Sequence, residues 1–78
     1  MLAITSADYL QEYKFRVRFN DGADLIFDFF PIIEQYTVFK ALKDINVLKS
    51  YSITDTFEWN GGELDIAPEY IRQNGIPA

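Results

Sequence analysis

The sequence contains no cysteine and no histidine. Those two absences remove disulfides, thiolate nucleophiles, zinc sites built on sulfur or imidazole, and imidazole acid–base catalysis. They also remove any sign of an oxidising compartment. Proline and glycine are sparse, with three and four residues in 78. No low-complexity stretch, linker or internal repeat is visible, and residues 1–78 read as a single domain. No apolar run approaches the ~20 residues that span a bilayer. The opening Met1-Leu2-Ala3-Ile4-Thr5 has neither the basic flank nor the apolar stretch of a signal peptide. A cytoplasmic domain without a membrane segment is the expectation.

Positive charge is also scarce. Seven bases against twelve acids leave a formal charge of −5. A small acidic chain is repelled by phosphate backbones unless its bases are segregated, so direct nucleic-acid binding is disfavoured. Acidic surface suits solubility or a basic protein partner.

Aromatic side chains, in contrast, are abundant. Seven Phe, five Tyr and one Trp make up 17% of the chain. Each buries a large area, which lets a short chain build a core despite its unfavourable ratio of surface to volume. Any surplus would lie on the surface as a contact patch, or be covered in a homodimer.

The clearest periodicity runs from Tyr13 to Asn20. Tyr13, Phe15, Val17 and Phe19 alternate with Lys14, Arg16, Arg18 and Asn20, as a strand with one apolar face requires. Asn20-Asp21-Gly22 supplies a turn. Ala23 to Phe29 returns with Leu25, Phe27 and Phe29 on one face, and Asp24 and Asp28 placed to pair with Arg16 or Arg18. Pro31 ends this hairpin, and Ile32 to Tyr36 is an unassigned connection. Thr37 resembles an N-cap for a short helix in which Val38, Phe39 and Leu42 share a face while Lys40 and Lys43 look outward. Leu48 to Ile53 reads as a third strand and Thr56 to Trp59 as a fourth. A final helix begins near Asp65 as cap, with Pro68 and Glu69 in its first turn. The predicted order is β-β-α-β-β-α: an α+β fold with an antiparallel sheet and short helices packed on one face.

Carboxylates are the only plentiful reactive groups. Asp21, Asp24, Asp28, Glu58, Glu63, Asp65 and Glu69 lack the spacing of a calcium loop, and turn, cap and dipole preferences account for them. Gly61-Gly62 is followed by Glu63 and Asp65 and by no Lys-Ser, so it reads as a turn and not as a phosphate cradle. Ser6, Ser50 and Ser52 have no base to activate them. The expectation is therefore no catalytic, cofactor or metal site, and no enzyme. Trp59 reads first as a core anchor beside Phe57, and second as an interaction hot spot together with Tyr9, Tyr51 and Tyr70.

Phe19-Asn20-Asp21-Gly22, Asp28, Phe39, Leu42, Asp44, Trp59 and above all Asp65-Ile66-Ala67-Pro68-Glu69 resemble the family known as domain of unknown function 2442. The likeness covers nearly the whole chain, with one departure: Asn60-Gly61-Gly62 follows Trp59 directly where many relatives have an extra residue. The resemblance implies a fold and no chemistry. Some members are fused to a helix-turn-helix, and others sit beside small proteins in arrangements that look like toxin–antitoxin pairs. Residues 1–78 contain no helix-turn-helix. The expected function is a non-enzymatic protein-interaction module, antitoxin-like, that binds a small basic partner. The alternative is a regulatory domain of a transcription-regulator-like system without its own DNA-binding element.

Overall fold

The computed structural model describes residues 1–78. It has the predicted class, α+β with antiparallel sheets and short helices. The first hairpin is where the alternation places it: β2 spans Lys14–Phe19 and β3 spans Asp24–Asp28, in register from Lys14↔Asp28 to Arg18↔Asp24. Phe15, Val17, Phe19, Leu25 and Phe27 all point into the core. Gly22 closes the turn at φ 89°, a conformation that costs a residue without Cβ little.

On the opposite face, Arg16 grips Asp24 with two hydrogen bonds, from Nε at 2.9 Å and Nη2 at 2.6 Å. Arg18 bonds Asp8 and lies 3.9 Å from the same Asp24. Asp28 does not pair with either arginine. Its register partner is Lys14, and its carboxylate accepts the Phe30 N–H instead, which turns the chain out of the strand.

Three strands have no counterpart in the predicted order β-β-α-β-β-α, and the longest of them is the first in the chain. Strand β1, Ile4–Gln11, pairs antiparallel with β2 and is irregular at two places in its register. Those bulges break the apolar alternation that would betray it. Its start is clamped by Asn20, whose side-chain oxygen accepts from Ala3 N–H and whose amide donates to Met1 C=O. Tyr13, predicted to lie in the strand, falls instead in the β1–β2 turn, where its hydroxyl donates to Lys43 C=O at 2.7 Å.

The connection after β3 is helical. Helix α1 spans Phe30–Gln35 with Pro31 in its first turn, and Ile32 and Ile33 reach the core. A 3₁₀ helix follows over Thr37–Lys43, then α2 over Ile45–Leu48, capped by the Asp44 carboxylate on Asn46 N–H. The third predicted strand is therefore corrected at its start: Leu48 is the buried end of α2, and β4 is only Ser52–Ile53. Strand β5, Phe57–Trp59, matches the prediction, and β6, Leu64–Asp65, completes a second three-stranded sheet in the order β4-β5-β6.

Asp65 is consequently not a helix cap. Ala67, preceding a proline, is held extended at ψ 128°, so α3 can begin only at Pro68 and runs to Asn74. The chain then closes as β7, Ile76–Pro77, on the outer side of β3, giving the larger sheet the order β1-β2-β3-β7. Pro77 blunts that edge. Between α3 and β7, Gly75 is tightly enclosed: a Cβ there would sit 3.0 Å from Ile71 C=O and from Leu25, which would have to give by a few tenths of an ångström.

The core lies between the sheets and the helices, and Phe15 is its centre. The rings of Tyr9, Phe29, Tyr51 and Phe57 surround it edge to face, with centroids 5.2–5.4 Å away. Trp59 extends this cluster, stacked on Phe57 and edge-on to Phe29.

Three outcomes follow from this architecture. Phe15→Ala should cost about 3–5 kcal/mol, a large part of the stability of a small domain, and thermal or urea unfolding will read it. Gly75→Ala should cost about 1–3 kcal/mol by overpacking against Leu25, with amide exchange rising first in β7. The third concerns pH. Hydrogen bonding from Arg16 holds the Asp24 carboxyl below its usual range, and the Ala23 N–H and then Arg72 do the same for Asp21. Because the folded values lie below the unfolded one, the stabilisation is present above the ordinary pKa of 3.8 and is lost as pH falls through the folded values. Asp24→Asn should therefore lower Tm slightly at pH 7, and the gap from wild type should close in acid below that point.

Candidate partner-binding surface

The tyrosines and the tryptophan singled out in the sequence separate into two places. Tyr9 and Tyr51 lie together, both half-buried against Phe15. The Tyr51 hydroxyl donates to Ala7 C=O at 3.2 Å, and burial, reinforced by the charge of Asp8, pushes its pKa above the ordinary value. The ammonium of Lys49 sits 4.8 Å from the centre of the Tyr9 ring. This pair is engaged within the molecule.

Trp59 and Tyr70 lie on another side. Trp59 is 3% exposed and its indole N–H donates to Leu48 C=O at 3.0 Å, so the ring is a core anchor with one edge near the surface. Tyr70 is half-buried on α3, edge-on to Phe27. Each borders an apolar depression, and the two depressions share Val38. The larger, about 540 Å³, has Leu42 and Trp59 at its base and Ala41, Val47 and Leu64 around it. The smaller, about 250 Å³, runs over Ile32, Phe39 and Ile66 to Tyr36 and Tyr70. Val38 is the ridge between them.

That ridge overturns an expectation. The sequence pattern puts Val38 on the buried face with Phe39 and Leu42, yet Val38 is 66% exposed. The reason is the winding. In an α-helix, residues four apart lie within about 40° of each other, which would bring Val38 onto the face of Leu42. In a 3₁₀ helix residues three apart eclipse, so Phe39 and Leu42 form the buried stripe, Val38 and Ala41 the next, and Lys40 and Lys43 follow Thr37 on the third. Tyr36 at 45% and Val47 at 36% exposure continue the apolar surface on either side.

The opposite wall of this trough is acidic. Glu63 stands at the larger depression and Asp65 at the smaller, with Leu64 between them in sequence. Asn60 donates to the Glu63 carboxylate and fixes it across the turn, whose residues Asn60, Gly61 and Gly62 all have positive φ. Asp65 lies directly opposite Glu58 in the β5–β6 register, so two like charges share the outer face of the small sheet. Thr54 donates to Glu58 at 2.9 Å, and no base reaches either carboxylate.

This is part of a larger asymmetry. Residues 55–69 contain Asp55, Glu58, Glu63, Asp65 and Glu69 and no base, and none of the five makes an ion pair. The other 63 residues carry seven acids and seven bases. The whole net charge of the protein is therefore borne by the segment that walls the trough.

Elsewhere the surface offers little chemistry. No three carboxylates converge to hold a metal ion. One shallow depression brings two carboxylates together, Glu12 and Asp28, but both are exposed and Lys14 lies between them, 4.0 Å from Glu12. No helix is long and apolar enough to cross a membrane.

No protein with a curated description and no solved structure matches this chain. A family does. The expected β2–β3 turn, the Trp59 strand end and the Ala67-Pro68-Glu69 helix start all occur in the fold, and residues 4–77 match the family described as protein of unknown function (DUF2442), to which this chain belongs.

Proposed function

We propose that this chain is a non-enzymatic protein-interaction module, antitoxin-like in mode, that binds a small basic partner protein. The observation that carries the reading is the coincidence of two surfaces. The exposed apolar stripe of the 3₁₀ helix adjoins the segment that carries all of the excess negative charge. Apolar area supplies affinity to an interface, while clustered charge of one sign raises the association rate and selects the sign of the partner.

The charge argues against the phosphate backbone as a direct ligand. Of the seven bases, Lys14, Arg16, Arg18, Lys43 and Arg72 are ion-paired, and Lys49 is drawn over Tyr9. What remains is a single lysine, Lys40, far short of the cluster that nucleic acid binding needs. A regulatory role on DNA would have to pass through the partner.

Affinity capture of the tagged protein from native lysate, with mass spectrometry of what is retained, tests this. A stoichiometric small basic protein is expected, and its association rate should fall steeply as salt rises from about 50 to 500 mM. An empty capture, or retention of DNA that persists in moderate salt, would refute the proposal.

A further inference from the structure

We infer that the trough over Val38 is the seat of that partner, and that it takes a basic peptide segment: two apolar side chains entering the depressions on either side of Val38, with Lys or Arg beside them meeting Glu63 and Asp65. The inference rests on the interaction reading above and adds the site and the chemistry of its occupant.

The geometry has three parts. The depressions are separate and share one ridge, so a single apolar side chain would fill only one of them. Each has one acidic residue in its lining, Glu63 in the larger and Asp65 in the smaller, and both come from the same short segment, so an acid accompanies each apolar volume. The third part is internal conflict. Glu58 and Asp65 face one another across two strands without a cation, and like charges directly opposite one another destabilise a sheet. Local rules broken in this way are expected at functional sites. A cation of the bound segment that reaches Asp65 would relieve the repulsion that the isolated chain carries.

Charge complementarity selects this occupant over a second copy of the chain. Two copies meeting through this face would bring two sets of uncompensated carboxylates together.

The chain carries its own reporter. Trp59 is its only tryptophan and forms part of the base of the larger depression. The experiment is a titration, followed by Trp59 emission and by backbone amide shifts, with three synthetic peptides: leucine–lysine, all-lysine of equal charge, and leucine–glutamate. Leucine–lysine should bind saturably, shift Val38, Leu64 and Asp65, and exceed both controls by about tenfold or more, the ratio that about 1.4 kcal/mol of added contact supplies. Val38→Asp and the double variant Glu63→Lys/Asp65→Lys should each weaken it by a similar factor. All three positions are exposed, so the folded amide spectrum should survive these changes.

Leu10→Asp, at an exposed apolar position on β1, should leave binding unchanged. The proposal falls if all-lysine binds as well as leucine–lysine, if no peptide binds, if the shifts lie elsewhere, or if Leu10→Asp is as damaging as Val38→Asp. A captured partner whose affinity ignores Val38→Asp and the double reversal would leave the interaction reading standing and remove the trough as its seat. Failure to capture any partner would remove the interaction reading itself.

Discussion

The packing around Phe15 is the constraint on which the rest of the molecule depends. A chain of this length has few residues to spend on a core, and it relies on rings meeting edge to face. Such contacts add about 0.5–1.5 kcal/mol each beyond the area they bury, and they have preferred angles, so they fix orientation as well as affinity. Phe15 comes from the larger sheet and Phe57 from the smaller, and Phe29 stands at the start of the helical connection. Their mutual contact sets how the two sheets face each other. It also places Trp59, which stacks on Phe57 at an interplanar angle of 14° and so presents one edge toward the 3₁₀ helix.

Charge obeys a second logic, nearly independent of the first. On the larger sheet, acids and bases are matched: Asp24 serves Arg16 and Arg18, Asp8 serves Arg18, and Asp21 holds Arg72 at 3.0 Å and ties α3 to the β2–β3 turn. Exposed pairs of this kind contribute little to stability, but they leave that face electrically quiet. The smaller sheet is unmatched, and its carboxylates oppose one another.

How much of this was legible in the sequence depended on whether the signal was local. The β2–β3 hairpin was legible because Phe15, Val17 and Phe19 alternate with charge and Asn20-Asp21-Gly22 can only turn. Trp59 as a core anchor was legible from its place beside Phe57. Strand β1 was not, since its irregular register erases alternation and its pairing depends on a partner strand and on Asn20 reaching back to Met1 and Ala3. The beginning of α2 was hidden for the opposite reason. Ile45 to Leu48 is too short to show a period, and only the Asp44 cap announces it. Asp65 was misplaced because a carboxylate three residues before a proline resembles a cap, while the burial of Ile66 keeps that stretch extended. At the candidate surface, Trp59 and Tyr70 were legible as aromatics. Val38, which joins them, was not.

Val38 carries the general point. Its place at the surface depends on whether seven residues wind with three or with 3.6 to the turn, a difference that no pattern of apolar positions in so short a segment can decide. With α winding, Val38 would turn in toward Leu42, the ridge would vanish, and Glu63 and Asp65 would border a filled surface. With 3₁₀ winding, Phe39 and Leu42 alone satisfy the core, and Val38 is released to water beside Tyr36, Ala41 and Val47. The tighter helix has poorer hydrogen-bond geometry, so it persists only where packing enforces it. Here α1 and α2 bracket it, with Ile33 and Leu48 buried on either side. The same aromatic-rich core that makes so small a domain stable thus selects the helix geometry that leaves an apolar ridge exposed against an acidic wall.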